Sequence, residues 1–183
     1  MKSIPPAVTV LLMEYEQLKE EQRGRISTRD NLVYATLGVI SVTAIGAVET
    51  GRAAMLLLLP IACAALGWTH LVNDDRITAI GPHIQTVLTP SLVALLGART
   101  PLLSWETRHR GDRWRRTRVR LQLPAKLILY CVPGAAALTI CWIRIPMPAP
   151  LTTVAMAEAL LVAGLAHQMT RHTKLANRSL TIL

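Results

Sequence analysis

Four long apolar stretches dominate this 183-residue chain and restrict what it can fold into. They cover residues 31–48, 53–72, 124–143 and 151–169. Each is close to the roughly 20 apolar residues that an α-helix needs to cross a bilayer. Because lipid cannot hydrogen-bond to the backbone, such stretches must form helices. We therefore predict an all-α integral membrane protein with four transmembrane helices arranged in two hairpins.

The composition favours the same class of protein. The chain is 51% hydrophobic and only 17% charged, which is too apolar for an ordinary soluble domain. Its net charge of +9 would point to nucleic acid in a soluble protein. Here most basic residues border apolar stretches, so we expect anionic lipid headgroups as partners and disfavour nucleic acid. Acidic and basic residues precede the first apolar stretch, so we expect a retained anchor and no secretory signal peptide.

The hydrophobic pattern divides the chain into five segments. Residues 1–30 are predicted to form an N-terminal cytoplasmic amphipathic helix, with Leu11, Tyr15, Leu18 and Gln22 on one narrow face. This face can dock on the membrane, which we favour, or coil with copies of itself. A first transmembrane hairpin, 31–72, a cytoplasmic linker, 73–123, a second hairpin, 124–169, and a cytoplasmic tail, 170–183, follow. We expect Pro60 and Pro133-Gly134 to bend their helices.

The linker contains a second amphipathic pattern. Asn73 or Asp74 is a plausible N-cap, and apolar residues then recur at steps of three or four at Ile77, Ile80, Ile84, Leu88, Leu92 and Leu95. Gly81-Pro82 and Pro90 interrupt the run. We predict a broken helix that lies in the membrane interface.

The distribution of basic residues predicts the orientation. Eighteen of the 20 Lys and Arg residues lie before the first span, in the linker, at Lys126 or in the tail. The other side of the membrane has only Arg52 and Arg144. The positive-inside rule then places both termini and the linker in the cytoplasm.

Glu158 is the most informative single residue. It lies about seven residues into the fourth span, or roughly 10 Å deep, where a carboxylate is costly. Ser41, Thr43 and Thr139 are polar residues at matching depth. Glu158 is either part of an ion path or pore lining, or a hydrogen-bonded group that only holds helices together. Small residues at four-residue spacing, Ala155, Ala159 and Ala163, predict a helix-packing face, toward either the same chain or a neighbour.

The linker ends in a dense cluster of arginines. It comprises Arg108, Arg110, Arg113, Arg115, Arg116, Arg118 and Arg120. Contact with anionic lipid is the favoured interpretation, since each basic residue near the surface contributes on the order of 1 kcal/mol. A nucleotide or phosphorylated ligand is the alternative, because arginine forks suit phosphate.

The sequence has no motif typical of an enzyme. A nucleophile–base pair, a glycine-rich phosphate loop and HExxH are all absent, so we expect no catalytic residue and no cofactor. His70, Asp74, Asp75 and His83 are too loosely spaced to predict a metal site. The cysteines, which lie in apolar runs, are expected to fill space as small apolar residues.

Two stretches carry a resemblance to known proteins. Gly67-Trp68 followed by Asn73-Asp74-Asp75-Arg76-Ile77, and Trp105-Glu106 further on, resemble a broad group of uncharacterised bacterial multi-span membrane proteins. The Tyr15-Glu16-x-Leu18 helix and its hairpin are similar to SLATT-type effectors of bacterial conflict systems, over the first half of the chain. The resemblance implies a cytoplasmic sensor paired with a membrane-disrupting or pore-forming effector. Pro82-His83 departs from the unbroken helix expected there.

These observations predict a non-enzymatic protein of the bacterial inner membrane. We expect it to self-associate, and to act as a pore-forming or membrane-disrupting effector that responds to a cytoplasmic signal or protein partner. The alternative is a membrane scaffold or accessory subunit that binds another protein without conducting. A small transporter is the third hypothesis.

Overall fold

The computed structural model of the chain describes residues 5–97, 114–146 and 148–179, and only the backbone of 114–120 and 175–179. Within these ranges the chain is entirely helical and contains no strand. Four helical stretches are long and apolar enough to cross a membrane: Pro6–Thr50, Ala53–Leu96, Leu121–Arg144 and Ala149–Lys174. The prediction of an all-α chain with four helices of this kind is confirmed.

The helices follow one another with short connections. In chain order they are α1 (Pro6–Thr50), a 3₁₀ helix (Ala53–Leu57), α2 (Leu58–His83), a π-helical turn (Ile84–Leu88), α3 (Thr89–Leu96), α4 (Trp114–Tyr130), α5 (Val132–Arg144) and α6 (Ala149–Ser179). Gly51 turns the chain after α1, and Gly97 ends α3; both have positive φ, which favours glycine.

The first helix is longer than the sequence pattern indicates. The predicted amphipathic helix and first span form one uninterrupted helix of 45 residues, about 70 Å long at 1.5 Å per residue. Arg29-Asp30 does not end it, because polarity alone does not break a helix. Arg25 instead supports it through bonds from its Nε and Nη2 to Glu21, four residues earlier. The same holds for the predicted tail, where the fourth apolar helix does not end at residue 169. Helix α6 continues to Ser179.

The prolines have local effects on the helices. Pro82 lies in the last turn of α2 and Pro90 in the first turn of α3, so the predicted interruption takes the form of a π-helical turn. Thr89 Oγ1 donates to the carbonyl of Ile84 within that turn at 2.9 Å. Pro124, predicted in the first turn of the third span, lies inside α4, which begins ten residues earlier at Trp114. The predicted bend at Pro133-Gly134 coincides with the break between α4 and α5 at Cys131.

The chain divides into two compact units. Unit 1 consists of Met1–Arg29 and Val72–Arg115, and unit 2 of Asp30–Leu71 and Arg116–Leu183. In unit 1 the first half of α1 pairs with the stretch from the end of α2 to α3. Ile80, Ile84 and Leu88 form its buried core, and Leu11, Tyr15 and Leu18 pack against them.

Polar contacts fix the register of this helix pair. Asn73 Nδ2 donates to the backbone carbonyl of Arg25 at 2.7 Å, and His83 Nε2 lies 3.2 Å from Glu14 Oε1. Glu14 of α1 contacts residue 83, and Arg25, further along α1, contacts residue 73. The two helices are therefore antiparallel. We expected both apolar faces to lie on the membrane. In the structure Ile80, Ile84 and Leu88 face Leu11, Tyr15 and Leu18 of the same chain, whereas Leu95 stays exposed.

Unit 2 has two apolar clusters. The larger is built on Leu71, Tyr130, Cys131, Val162, Leu165 and Met169, and the smaller on Leu59, Cys63 and Ala137. Gly67 permits close packing in the larger cluster. A Cβ built there would lie 2.6 Å from Leu165 Cδ2 and 3.0 Å from Tyr130 Cβ, so α2 contacts α4 and α6 directly at this residue.

We expect Gly67→Val to destabilise unit 2. Overpacking against Tyr130 and Leu165 should lower the free energy of unfolding by about 1–3 kcal/mol. Gly164→Val is the matched control, because it makes the same change in a helix at a position with no neighbour within 4 Å. Thermal unfolding in detergent, followed by circular dichroism, should give a lower Tm for the first variant alone. Equal Tm values would show that α2 does not pack closely at Gly67.

Candidate functional site

Polar side chains are buried inside apolar helices in the described part of unit 2. Thr36 is 0% exposed, Glu158 2% and His70 5%. They lie in α1, α6 and α2 respectively, within stretches apolar enough to cross a membrane. Inside a bilayer, ionisable side chains are costly and often mark ion or substrate pathways.

Glu158 faces the other helices of its own chain. The buried residues of α6 are Ala155, Glu158, Val162, Leu165 and Met169, which recur at alternating steps of three and four and so form one inward face. Val162, Leu165 and Met169 belong to the larger apolar cluster of unit 2. The carboxylate therefore points into the unit, and the pore-lining prediction applies to the inside of one chain.

One oxygen of this carboxyl group has no hydrogen-bond partner. Glu158 Oε2 is buried and makes no hydrogen bond within the described part of the chain. The Glu158 carboxyl group interacts electrostatically with the buried thiol of Cys141 in α5. That thiol already donates to the backbone carbonyl of Ala53 at 3.2 Å. A buried acceptor of this kind is available to a proton or to a cation.

The other polar residues predicted at matching depth do not join Glu158. Ser41 and Thr139 are exposed, and Thr43 is half-buried. Thr139 Oγ1 donates to the carbonyl of Ala135 in its own helix at 2.9 Å. Depth along a span can be counted from the sequence, but the side of the helix on which a residue lies depends on how the helices pack.

A second polar contact joins α2 and α4, and sequence reasoning missed it. Tyr130 Oη lies 3.1 Å from His70 Nδ1, within hydrogen-bonding distance, whereas Thr36 Oγ1 donates to the carbonyl of Leu32 in its own helix at 2.7 Å. The two rings are 5.1 Å apart, and Tyr130 is fully buried. In the sequence His70 was considered as a candidate metal ligand, and its spacing did not support that role. A usable signal was that His70 and Tyr130 are both hydrogen-bonding residues inside apolar runs.

The predicted small-residue face is divided by the packing. Ala155 is buried, whereas Ala159 and Ala163 are exposed. A four-residue step drifts around the helix relative to the alternating three–four pattern of the buried face, so only the first alanine remains inside.

The residues that carry the resemblance to bacterial membrane proteins lie in different surroundings. Trp68 is exposed, Asn73 is buried in unit 1, and Asp74 and Ile77 are half-buried. Trp105, Glu106, Arg108, Arg110 and Arg113 lie outside the described residues, as do the side chains of Arg115, Arg116, Arg118 and Arg120.

His70 and His83 belong to different polar contacts, with Tyr130 and Glu14 respectively. In the described ranges, no group of three His, Cys, Asp or Glu side chains is placed to hold a metal ion.

Comparison with known proteins adds no family to these observations. No family model, curated protein or solved structure matches this chain.

Proposed function

We propose that this chain is a non-enzymatic, multi-pass protein of the bacterial inner membrane that conducts ions along a path through Glu158 when unit 1 receives a cytoplasmic signal. The observation that carries the proposal is the state of Glu158. Its side chain is 2% exposed, in a helix apolar enough to cross a membrane, and Oε2 has no hydrogen-bond partner among the described residues.

Burial of a carboxyl group in this position lowers the stability of the fold, which favours a functional role for Glu158. Burial of an ionisable group without a full set of hydrogen bonds costs several kcal/mol, roughly, compared with an apolar residue. A group that only fastened helices together would be expected to use both of its oxygens. The free oxygen of Glu158 therefore favours an ion-binding role over a fastening role.

Unit 1 is suited to receive the signal. Its helix pair is held by a small apolar core and by polar contacts that include Asn73 with Arg25 and His83 with Glu14. The half of α1 that forms this pair and the half that belongs to unit 2 are parts of one unbroken helix. We propose that the signal reaches unit 2 through this helix.

Self-association forms part of the proposal. Only 6% of the most apolar window of α1 is buried, against 33% for the stretch that contains α2. We propose that this surface contacts lipid and a second copy of the chain, with anionic headgroups on the basic side. The same exposure favours the second candidate function, a scaffold that presents α1 to another membrane protein and conducts nothing.

Induced expression in bacterial cells distinguishes the two functions. We expect wild-type protein to collapse the membrane potential, measured with a voltage-sensitive dye, and Glu158→Gln at equal expression to leave the potential close to that of uninduced cells. Gln keeps the size and hydrogen-bonding capacity of Glu but cannot carry charge. Harmless expression of the wild type, with a partner protein co-purified in fixed ratio, would replace the conducting function with the scaffold.

A further inference from the structure

We infer that the ion is the proton, and that its path lies inside a single chain between the His70–Tyr130 pair and Glu158. This inference rests on the proposed function and narrows it. Both ends of the path belong to unit 2.

The buried titratable groups of unit 2 suit protons better than metal cations. Among the described residues they are Cys63, His70, Tyr130, Cys131, Cys141 and Glu158. Alkali cations in channels are held by rings of carbonyl or carboxylate oxygens that replace the hydration shell. Glu158 offers one carboxyl group, and the neighbouring thiol of Cys141 is already bonded to Ala53. A proton needs a single acceptor at each step, and His, Tyr and Glu side chains serve as relays in pumps and transporters.

The inward face of α6 gives the order of the groups. From Glu158 the next buried residue is Val162. It packs close to Gly134, as Pro60 does. A Cβ built on that glycine would lie 3.3 Å from Val162 Cγ2 and 3.2 Å from Pro60 Cα. The next is Leu165, which lies against Gly67 beside Tyr130. Seven residues separate Glu158 from Leu165, a rise of roughly 10 Å.

Val162 and Leu165 therefore form an apolar barrier between the two polar ends. Both are buried in the larger cluster of unit 2, together with Tyr130 and Cys131. The α4–α5 break lies at this level, because α4 ends at Tyr130 and α5 begins at Val132. Apolar constrictions gate conduction by excluding water. Movement of α4 against α5 at Cys131 would admit water past Val162 and complete the path.

Proton flux into liposomes tests the inference. Full-length protein is reconstituted, a potassium gradient with valinomycin supplies an inward driving voltage, and internal pyranine reports the pH. Val162→Ser should raise the wild-type flux at least tenfold, because a hydroxyl wets the barrier. Adding Glu158→Gln to Val162→Ser should remove at least nine-tenths of that flux, and Glu158→Asp should retain more than Gln. Ser41→Ala, an exposed polar residue in the first span, is the control expected to change nothing.

Each other outcome is decisive. Proton flux that persists in the Val162→Ser, Glu158→Gln double variant overturns the path through Glu158. Passage of sodium or chloride without acidification overturns the proton but retains a conducting protein. Liposomes that pass no ion with either wild type or Val162→Ser overturn both the proton path and the proposed function. Circular dichroism and gel filtration of each variant show that a lost flux is not a lost fold.

Discussion

Ile84→Asp will open the helix pair of unit 1. Ile84 is 0% exposed at the centre of the core formed with Ile80 and Leu88, against Leu11, Tyr15 and Leu18 of α1. The substitution removes apolar burial and places an unpaired carboxylate in its stead, a combined loss of about 3–5 kcal/mol. A pair of helices with so small a core cannot absorb that loss. Amide hydrogen exchange should accelerate at least a hundredfold in residues 8–25 of α1.

Val87→Asp is the matched control for this change. It places the same charge in the same π-helical turn, but the Val87 side chain is 49% exposed. Surface substitutions of this kind stay within about 0.5 kcal/mol, so protection of α1 should remain near the wild-type level. Equal loss of protection in both variants would mean that the turn itself, and not the buried face of Ile84, supports the pair. If unit 1 gates conduction, Ile84→Asp alone should also change the membrane potential of expressing cells.

The pairing in unit 1 shows what the sequence could and could not predict. The steps of three and four identified Leu11, Tyr15 and Leu18 as one face, and Ile80, Ile84 and Leu88 as another. Periodicity gives the direction of a face but not its partner, and both faces suited a membrane surface equally well. The decisive contacts, such as Asn73 with Arg25, join residues 48 positions apart and leave no periodic signal.

The helix bounds illustrate a second limit. Polar residues at Arg29-Asp30 and Asn73-Asp74 border apolar stretches, so the predicted spans are bounded there. An α-helix does not need to end there, because its backbone bonds are formed in water and lipid alike. Only residues that disturb the backbone change the course of the chain, as Gly51, Gly97 and the prolines around the π-helical turn do.

In the candidate site, Glu158 could be predicted from the sequence, whereas the His70–Tyr130 pair could not. A glutamate in an apolar stretch is conspicuous, since its burial is costly wherever it points. The His70–Tyr130 pair was not conspicuous, because His70 lies near the end of its predicted span and Tyr130 is an aromatic residue that an apolar helix accommodates. Their meeting depends on the close approach at Gly67. Ser41 and Thr139 failed to join the site because their helices turn them outward.

The orientation of the chain can be tested by an all-or-none labelling experiment. Cys63, Cys131 and Cys141 are all buried, so the native chain should react little with a membrane-impermeant maleimide. New cysteines at Gln17, Glu49 and Lys174, all exposed positions, then report one face each. We expect Glu49→Cys to be labelled in intact cells, and Gln17→Cys and Lys174→Cys only after the inner membrane is permeabilised.

The physical reason lies in the basic residues that flank each span. Moving Lys or Arg across a bilayer is costly, and short loops that carry them stay in the cytoplasm. The turn between α1 and the 3₁₀ helix has one basic residue, Arg52, whereas the residues before 31 carry five. Four crossings also return the chain to its starting side, so Gln17 and Lys174 should be labelled together. Labelling of one without the other in intact cells would require an odd number of crossings, and one of the four apolar helices would then lie outside the bilayer.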